Sequence, residues 1–152
     1  MPTTTGHKDY SGTPLPKKLG VKDGSSILVV GAPEGFALPP VPGVELLSRA
    51  RAGIDVVLLF VTRRADLERR FGELAARLDP AGRLWVAWPK KAEGVDSDLD
   101  FSIVQRTGLG AGLVDNKSAS IDETFQGVQF VRRVKDRPRR RPERRPSRNR
   151  VA

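Results

Sequence analysis

One complete strand–helix–strand unit is written between Asp55 and Pro89, and no other stretch of the chain constrains the fold so tightly. Asp55-Val56-Val57-Leu58-Leu59-Phe60-Val61 is a continuous apolar run rich in β-branched residues, the pattern of a strand covered on both faces; Arg83-Leu84-Trp85-Val86-Ala87-Trp88 is a second. Between them Leu67, Phe71, Leu74, Ala75 and Leu78 recur at helical spacing. Asp66 precedes Arg70, and Glu73 precedes Arg77, at ion-pair spacing, and Asp79-Pro80-Ala81-Gly82 stops the helix in a turn. Two parallel strands joined by a crossover helix define an α/β chain. The expected architecture is a small three-layer Rossmann-like sheet, mostly parallel, with an antiparallel closing strand.

The flanks extend this unit on both sides. Tyr10 to Gly20 reads as a turn and one short helix, with Thr13 as cap and Pro14 at the first helical position. Ser26-Ile27-Leu28-Val29-Val30 is a strand ending in the glycine-bounded loop Gly31-Ala32-Pro33-Glu34-Gly35-Phe36. That spacing is neither GxGxxG nor a Walker loop, and Pro33 lacks the backbone donor a phosphate needs. Leu38 to Gly43 is an extended linker, and Val44 to Arg51 is expected to form a short helix. A further helix is expected from Asp96/Ser97 to about Thr107, then a weak strand from Leu113 to Ile121. Gly127 to Val134 alternates as an edge strand. The connection Asp122–Gln126 is too short for a crossover helix, so these last two strands pair antiparallel.

Charge divides the chain into a body and a tail. Lys135 to Ala152 carries nine Lys/Arg against Asp136 and Glu143, which is +7 of the formal net charge of +9. With Pro138, Pro142 and Pro146 interrupting it and nothing apolar before Val151, this tail cannot bury enough surface to fold by itself. The expected organisation is a flexible tail over 1–9, one α/β domain over 10–134 and a disordered basic tail over 135–152. The chain has no cysteine, which excludes disulfides, thiolate nucleophiles and cysteine zinc sites and suits an intracellular protein. Met1 to Lys8 is polar and no apolar run approaches a membrane span, so a soluble cytoplasmic protein without membrane contact is expected.

Candidate site residues are few, and each has a plain structural alternative. Gly31, Ala32, Glu34 and Gly35 follow a strand at the carboxyl edge of the sheet, as do Lys90 and Lys91, and together they form a candidate site for an anionic small molecule. The alternative for the lysines is a solvated loop, and Lys17 and Lys18 are similar. Arg137, Arg139, Arg140, Arg141, Arg144, Arg145, Arg148 and Arg150 are candidates for nonspecific nucleic-acid contacts through phosphate. No aromatic residue lies among them for base stacking, and a solubilising extension explains them equally well. His7, the single histidine, lies in the polar N-terminal stretch, which argues against a triad. Trp85 and Trp88 point to opposite faces of one strand and read as core. Asp122 and Glu123 are explained by a hairpin turn.

The runs YSGTPLPKKLG at Tyr10–Gly20, GAPEGF at Gly31–Phe36, LWVAWPKKAEGV at Leu84–Val95 and LVDNKSASIDETFQGVQFVRR at Leu113–Arg133 resemble a bacterial domain-of-unknown-function family over nearly the whole chain before the tail. More distantly, Asp55 through Arg133 resembles the later half of class I S-adenosylmethionine-dependent methyltransferases, with Asp79-Pro80-Ala81-Gly82 at the place of a Pro-Gly-Gly-type turn. That resemblance implies a glycine loop for the cofactor after the first strand and an acidic residue closing the second strand for its ribose. The stretch between Gly35 and Asp55 is too short for two further βα units, so the cofactor half is missing or rebuilt. The expected function is a non-catalytic binding or regulatory module on a degenerate methyltransferase-like scaffold, with no cofactor and a protein or an anionic small molecule as partner. The alternatives are a divergent methyltransferase using S-adenosylmethionine and a nucleic-acid accessory protein anchored by its tail.

Overall fold

The computed structural model describes residues 14–136. Strands β1 (Ser26–Val30), β2 (Glu45–Leu47), β3 (Ile54–Phe60), β4 (Leu78–Pro89), β5 (Val114–Ser120) and β6 (Phe125–Val131) form one sheet in the order β2-β1-β3-β4-β6-β5. The first four run parallel, and β6 and β5 close the sheet antiparallel. This is the mostly parallel, three-layer α/β architecture expected from the strand–helix–strand unit.

Helices α2 (Arg64–Ala76) and α3 (Phe101–Gly110) cover one face. There Leu67, Phe71 and Leu74 of α2 and Val104 of α3 pack on Val57, Leu59, Trp88 and Phe130. The other face is covered more thinly, by the five-residue helix α1 (Leu15–Leu19) and the loop between β1 and β2, over Ile27, Val56, Leu58 and Trp85. Trp85 and Trp88 therefore do lie on opposite faces. Trp85 is fully buried, and its Nε1 donates to the Leu19 carbonyl at 3.1 Å, which ties α1 to the sheet. Burying a large apolar side chain such as Leu19 contributes about 1.5–3 kcal/mol.

Five local expectations are corrected. Val44–Arg51 forms no helix. Glu45–Leu47 instead becomes strand β2, paired parallel to β1, because the outer edge of β1 carries backbone groups that need partners: the Glu45 N–H donates to the Ser25 carbonyl at 2.9 Å. Asp79–Gly82 is not a free turn ahead of its strand but a bulge inside β4. Ile54 pairs with Leu78 and Val56 with Arg83, so these four residues loop out, and Asp79 Oδ2 accepts the Ala81 N–H at 3.1 Å.

The third helix starts at Phe101, not at Asp96/Ser97. Asp96 pairs with Arg63, Ser97 Oγ donates to the Thr62 carbonyl at 2.8 Å, and Asp98 Oδ1 accepts the Arg64 N–H at 2.7 Å. These bonds hold the segment extended across the end of β3, and Asp100 becomes the cap by accepting the Ile103 N–H at 2.8 Å. Strand β6 is interior, between β4 and β5, and the polar strand β5 is the edge. Pro14 is the residue before α1, not its first; Thr13 lies outside the described residues.

Candidate ligand crevice

The chain leaves β1 toward β2 on one side and leaves β3 toward β4 on the other. The carboxyl ends of β1 and β3 are therefore a topological switch point, where open α/β sheets leave a crevice. A crevice of about 300 Å³ lies there, bounded by Gly31 and Pro33 after β1, Phe60 and Thr62 at the end of β3, Arg70 on α2 and Phe125 at the start of β6.

Its floor depends on Gly31. The residue has φ 73°, and a Cβ on it would stand 2.7 Å from the Phe60 carbonyl oxygen, so only glycine lets β1 end this close to β3. One wall is apolar. Phe36 and Phe125 both meet Phe60 edge-to-face, with ring centroids 4.9 and 5.1 Å away.

The lining also carries Arg70. Asp66, the carboxylate at ion-pair spacing from it, is instead bound by Arg69 at 2.7 Å. Arg70 is half-buried and has neither an ion pair nor a hydrogen bond among the described residues, which leaves a planar array of five N–H donors facing the crevice. Helical side chains lean toward the helix N-terminus, which carries this long side chain back over the strand ends.

Of the residues singled out from the sequence, Gly31 lines the crevice. Ala32, Glu34 and Gly35 are exposed in the loop beyond it. Lys90 is turned elsewhere: its Nζ donates to Ser120 Oγ at 2.9 Å and to the Asp122 carbonyl at 2.8 Å, which fastens the end of β4 to the β5–β6 turn. Lys91 is exposed at the start of a short 3-10 turn. Lys18 reaches the same place and donates to the Ser120 carbonyl at 3.3 Å; burial first, and then the charge of Lys90, hold its ammonium below the usual lysine range. Asp122 accepts the N–H groups of Thr124 and Phe125 at 2.9 and 2.7 Å, the work of a turn residue. His7 and the arginines Arg137, Arg139, Arg140, Arg141, Arg144, Arg145, Arg148 and Arg150 lie outside the described residues.

Arg70 was hidden in the sequence behind its spacing from Asp66. The doublet Arg69-Arg70 was the available signal, since one carboxylate serves one of the two and Arg70 flanks the buried stripe of Leu67, Phe71 and Leu74.

The acid that would hold a cofactor's ribose is missing. Leu47 ends β2 and is followed by Ser48-Arg49-Ala50-Arg51, while Glu45, at the start of the strand, is bound by Arg51 at 3.0 Å. The connection from β1 to β2 also contains no helix. Among the described residues no group of three His, Cys, Asp or Glu side chains is placed to hold a metal ion, and no helix is long and apolar enough to cross a membrane.

The chain matches no protein-family model, and no curated protein matches it. Solved structures do match in fold. Magnesium protoporphyrin IX methyltransferase from Synechocystis PCC 6803 with bound SAM aligns at a TM-score of 0.57 and 10% identity over 84% of this chain and 80% of that one. A chain of the Haloferax volcanii complex between the Trm112 methyltransferase activator and a putative methyltransferase aligns at 0.56 and 14% over 90% and 93%. A SAM-dependent methyltransferase from Aquifex aeolicus aligns at 0.54 and 17% over 75% and 85%. Against the Synechocystis enzyme with bound SAH the chain spans 51% of that structure's length. The likeness is one of fold, a Rossmann-like sheet similar to those of these SAM-dependent methyltransferases, and activity does not follow from it.

Proposed function

We propose that the chain is a binding or regulatory module that takes a small anion in the crevice at the ends of β1 and β3. Arg70 carries this reading: a half-buried guanidinium with no acidic partner, aimed at a switch-point crevice, matches a carboxylate or phosphate in charge and in planar donor geometry. Gly31 is the residue of the sequence-derived anion site that takes part, through the close approach of β1 to β3. The residues that would hold S-adenosylmethionine do not fit it, since β2 ends without a carboxylate and no helix follows the glycine loop.

A divergent methyltransferase is the second reading, and on fold alone it is the better supported, because the similar solved structures include a methyltransferase with bound SAM. Calorimetric titration of the full chain with S-adenosylmethionine, S-adenosylhomocysteine and acetate separates the two. The module reading expects acetate to bind and Arg70→Gln to abolish it, with neither nucleoside bound. Binding of either nucleoside would favour the methyltransferase.

A further inference from the structure

We propose that the crevice accepts a small carboxylate carrying a single apolar ring, with the acid on Arg70 and the ring against Phe60 and Phe125. The inference rests on the anion reading and fixes the class of ligand through size, charge and wall chemistry. Ligand pockets generally span about 300–1,000 Å³, and this crevice, at about 300 Å³, stands at the lower bound. A one-ring acid fits within it, whereas a dinucleotide or S-adenosylmethionine would extend out of its open mouth.

Charge narrows the class further. Arg70 is the one cation of the lining, and Asp66, which also lines the crevice, adds a carboxylate that Arg69 already neutralises. A second negative charge on the ligand would have no further cation of the lining to meet. A monoanion is favoured over a phosphate dianion for that reason, and a planar carboxylate takes two parallel N–H bonds from a guanidinium.

The apolar part of the lining selects the body of the ligand. Phe60 and Phe125 line the crevice and meet edge-to-face, an arrangement a further ring can extend, while Pro33 and Val61 add apolar surface; Phe36 packs on Phe60 outside the lining. Thr62 supplies the one side-chain hydroxyl of the lining, too few to favour a polyhydroxylated body such as a sugar.

The test uses the full chain with three probes, phenylacetate, acetate and benzyl alcohol, followed through backbone amide shifts by NMR at moderate salt. Phenylacetate is expected to move the amides of Gly31, Thr62 and Phe125 in a saturable way and to bind at least tenfold more tightly than acetate. Benzyl alcohol is expected to bind at least tenfold more weakly than phenylacetate. Arg70→Gln should remove the phenylacetate response, and Arg70→Lys should keep a weakened one, which separates loss of the anion contact from loss of the fold. Equal affinities for acetate and phenylacetate, both dependent on Arg70, would overturn the ring while leaving the anion reading intact. A folded chain whose crevice amides ignore every acid would overturn both.

Discussion

Arg70 and Gly31 meet at the end of the sheet: the Arg70 Nη1 stands 3.7 Å from the point a Cβ on Gly31 would occupy, and the Phe60 carbonyl oxygen stands 2.7 Å from the same point. The absent side chain thus lets β1 close on β3 and leaves room beneath the guanidinium. Helix α2 places the cation through ordinary amphipathic packing, with Leu67, Phe71 and Leu74 inward and Arg70 at the margin of that stripe.

Gly31 and Gly35 both have positive φ, yet they should respond differently to alanine. Gly35 has open space around its missing Cβ, so Gly35→Ala should cost only the left-handed backbone penalty of about 1–2 kcal/mol. Gly31→Ala adds a collision with the Phe60 carbonyl and should cost clearly more. Paired urea denaturation curves check the order, and equal midpoints would show that β1 does not need this close approach.

Gly108 of α3 lies against the ring of Phe130, which itself meets Phe71 edge-to-face at 5.3 Å. Alanine would gain about 1 kcal/mol of helix propensity there. It should nonetheless destabilise the fold by about 1–3 kcal/mol net, because the ring has to move. In a double-mutant cycle Phe130→Leu should restore room, making Gly108→Ala less costly in that background than in the wild type.

Asp100 caps α3 and should be worth about 1 kcal/mol, read as the loss in Asp100→Ala against a conservative Asp100→Ser. Asp98 serves a different helix: its carboxylate meets the first N–H of α2, whose own preceding residue, Arg63, offers no side-chain cap. Asp98→Ala should therefore loosen α2 at its start, seen as faster amide exchange over 64–67 with α3 unchanged.

The central fold was legible because its periodicities are unambiguous. Apolar runs at Val56–Val61 and Leu84–Trp88 bury both faces, and a single amphipathic stripe joins them. What the sequence hid was decided by partners distant along the chain. Val44–Leu47 carries no strong local preference, and the unpaired edge of β1 makes it a strand. The start of α3 was displaced by bonds from Ser97 to Thr62, just past β3, and from Asp98 to the start of α2. In the site, Gly31 was readable as a glycine after a strand. Arg70 was not, since its role follows from Asp66 choosing Arg69. Lys90, which sequence position alone placed beside the glycine loop, is drawn to Ser120 and Asp122 by the hairpin of β5 and β6.

Lys18 gives the fold a pH signature. Burial and the nearby Lys90 lower its folded-state pKa from 10.5, so between that lowered value and 10.5 the unfolded chain holds more protons at this site than the folded one. Its contribution to stability should therefore rise with pH through that window and stay constant below it. Lys90→Gln should move the Lys18 titration back up, measured on the Lys18 Cε and Nζ resonances; an unchanged titration would mean that burial alone sets it.

The most direct test follows the Arg70 Nε–H resonance of the full chain during titration with acetate, with the signals of the other arginines as internal controls for nonspecific binding. A saturable shift of Arg70, accompanied by the Gly31 amide and exceeding that of every other arginine, is the expected result. A shift shared evenly by all arginines, or an Arg70 signal that stays still, would contradict a ligand site at the crevice of β1 and β3.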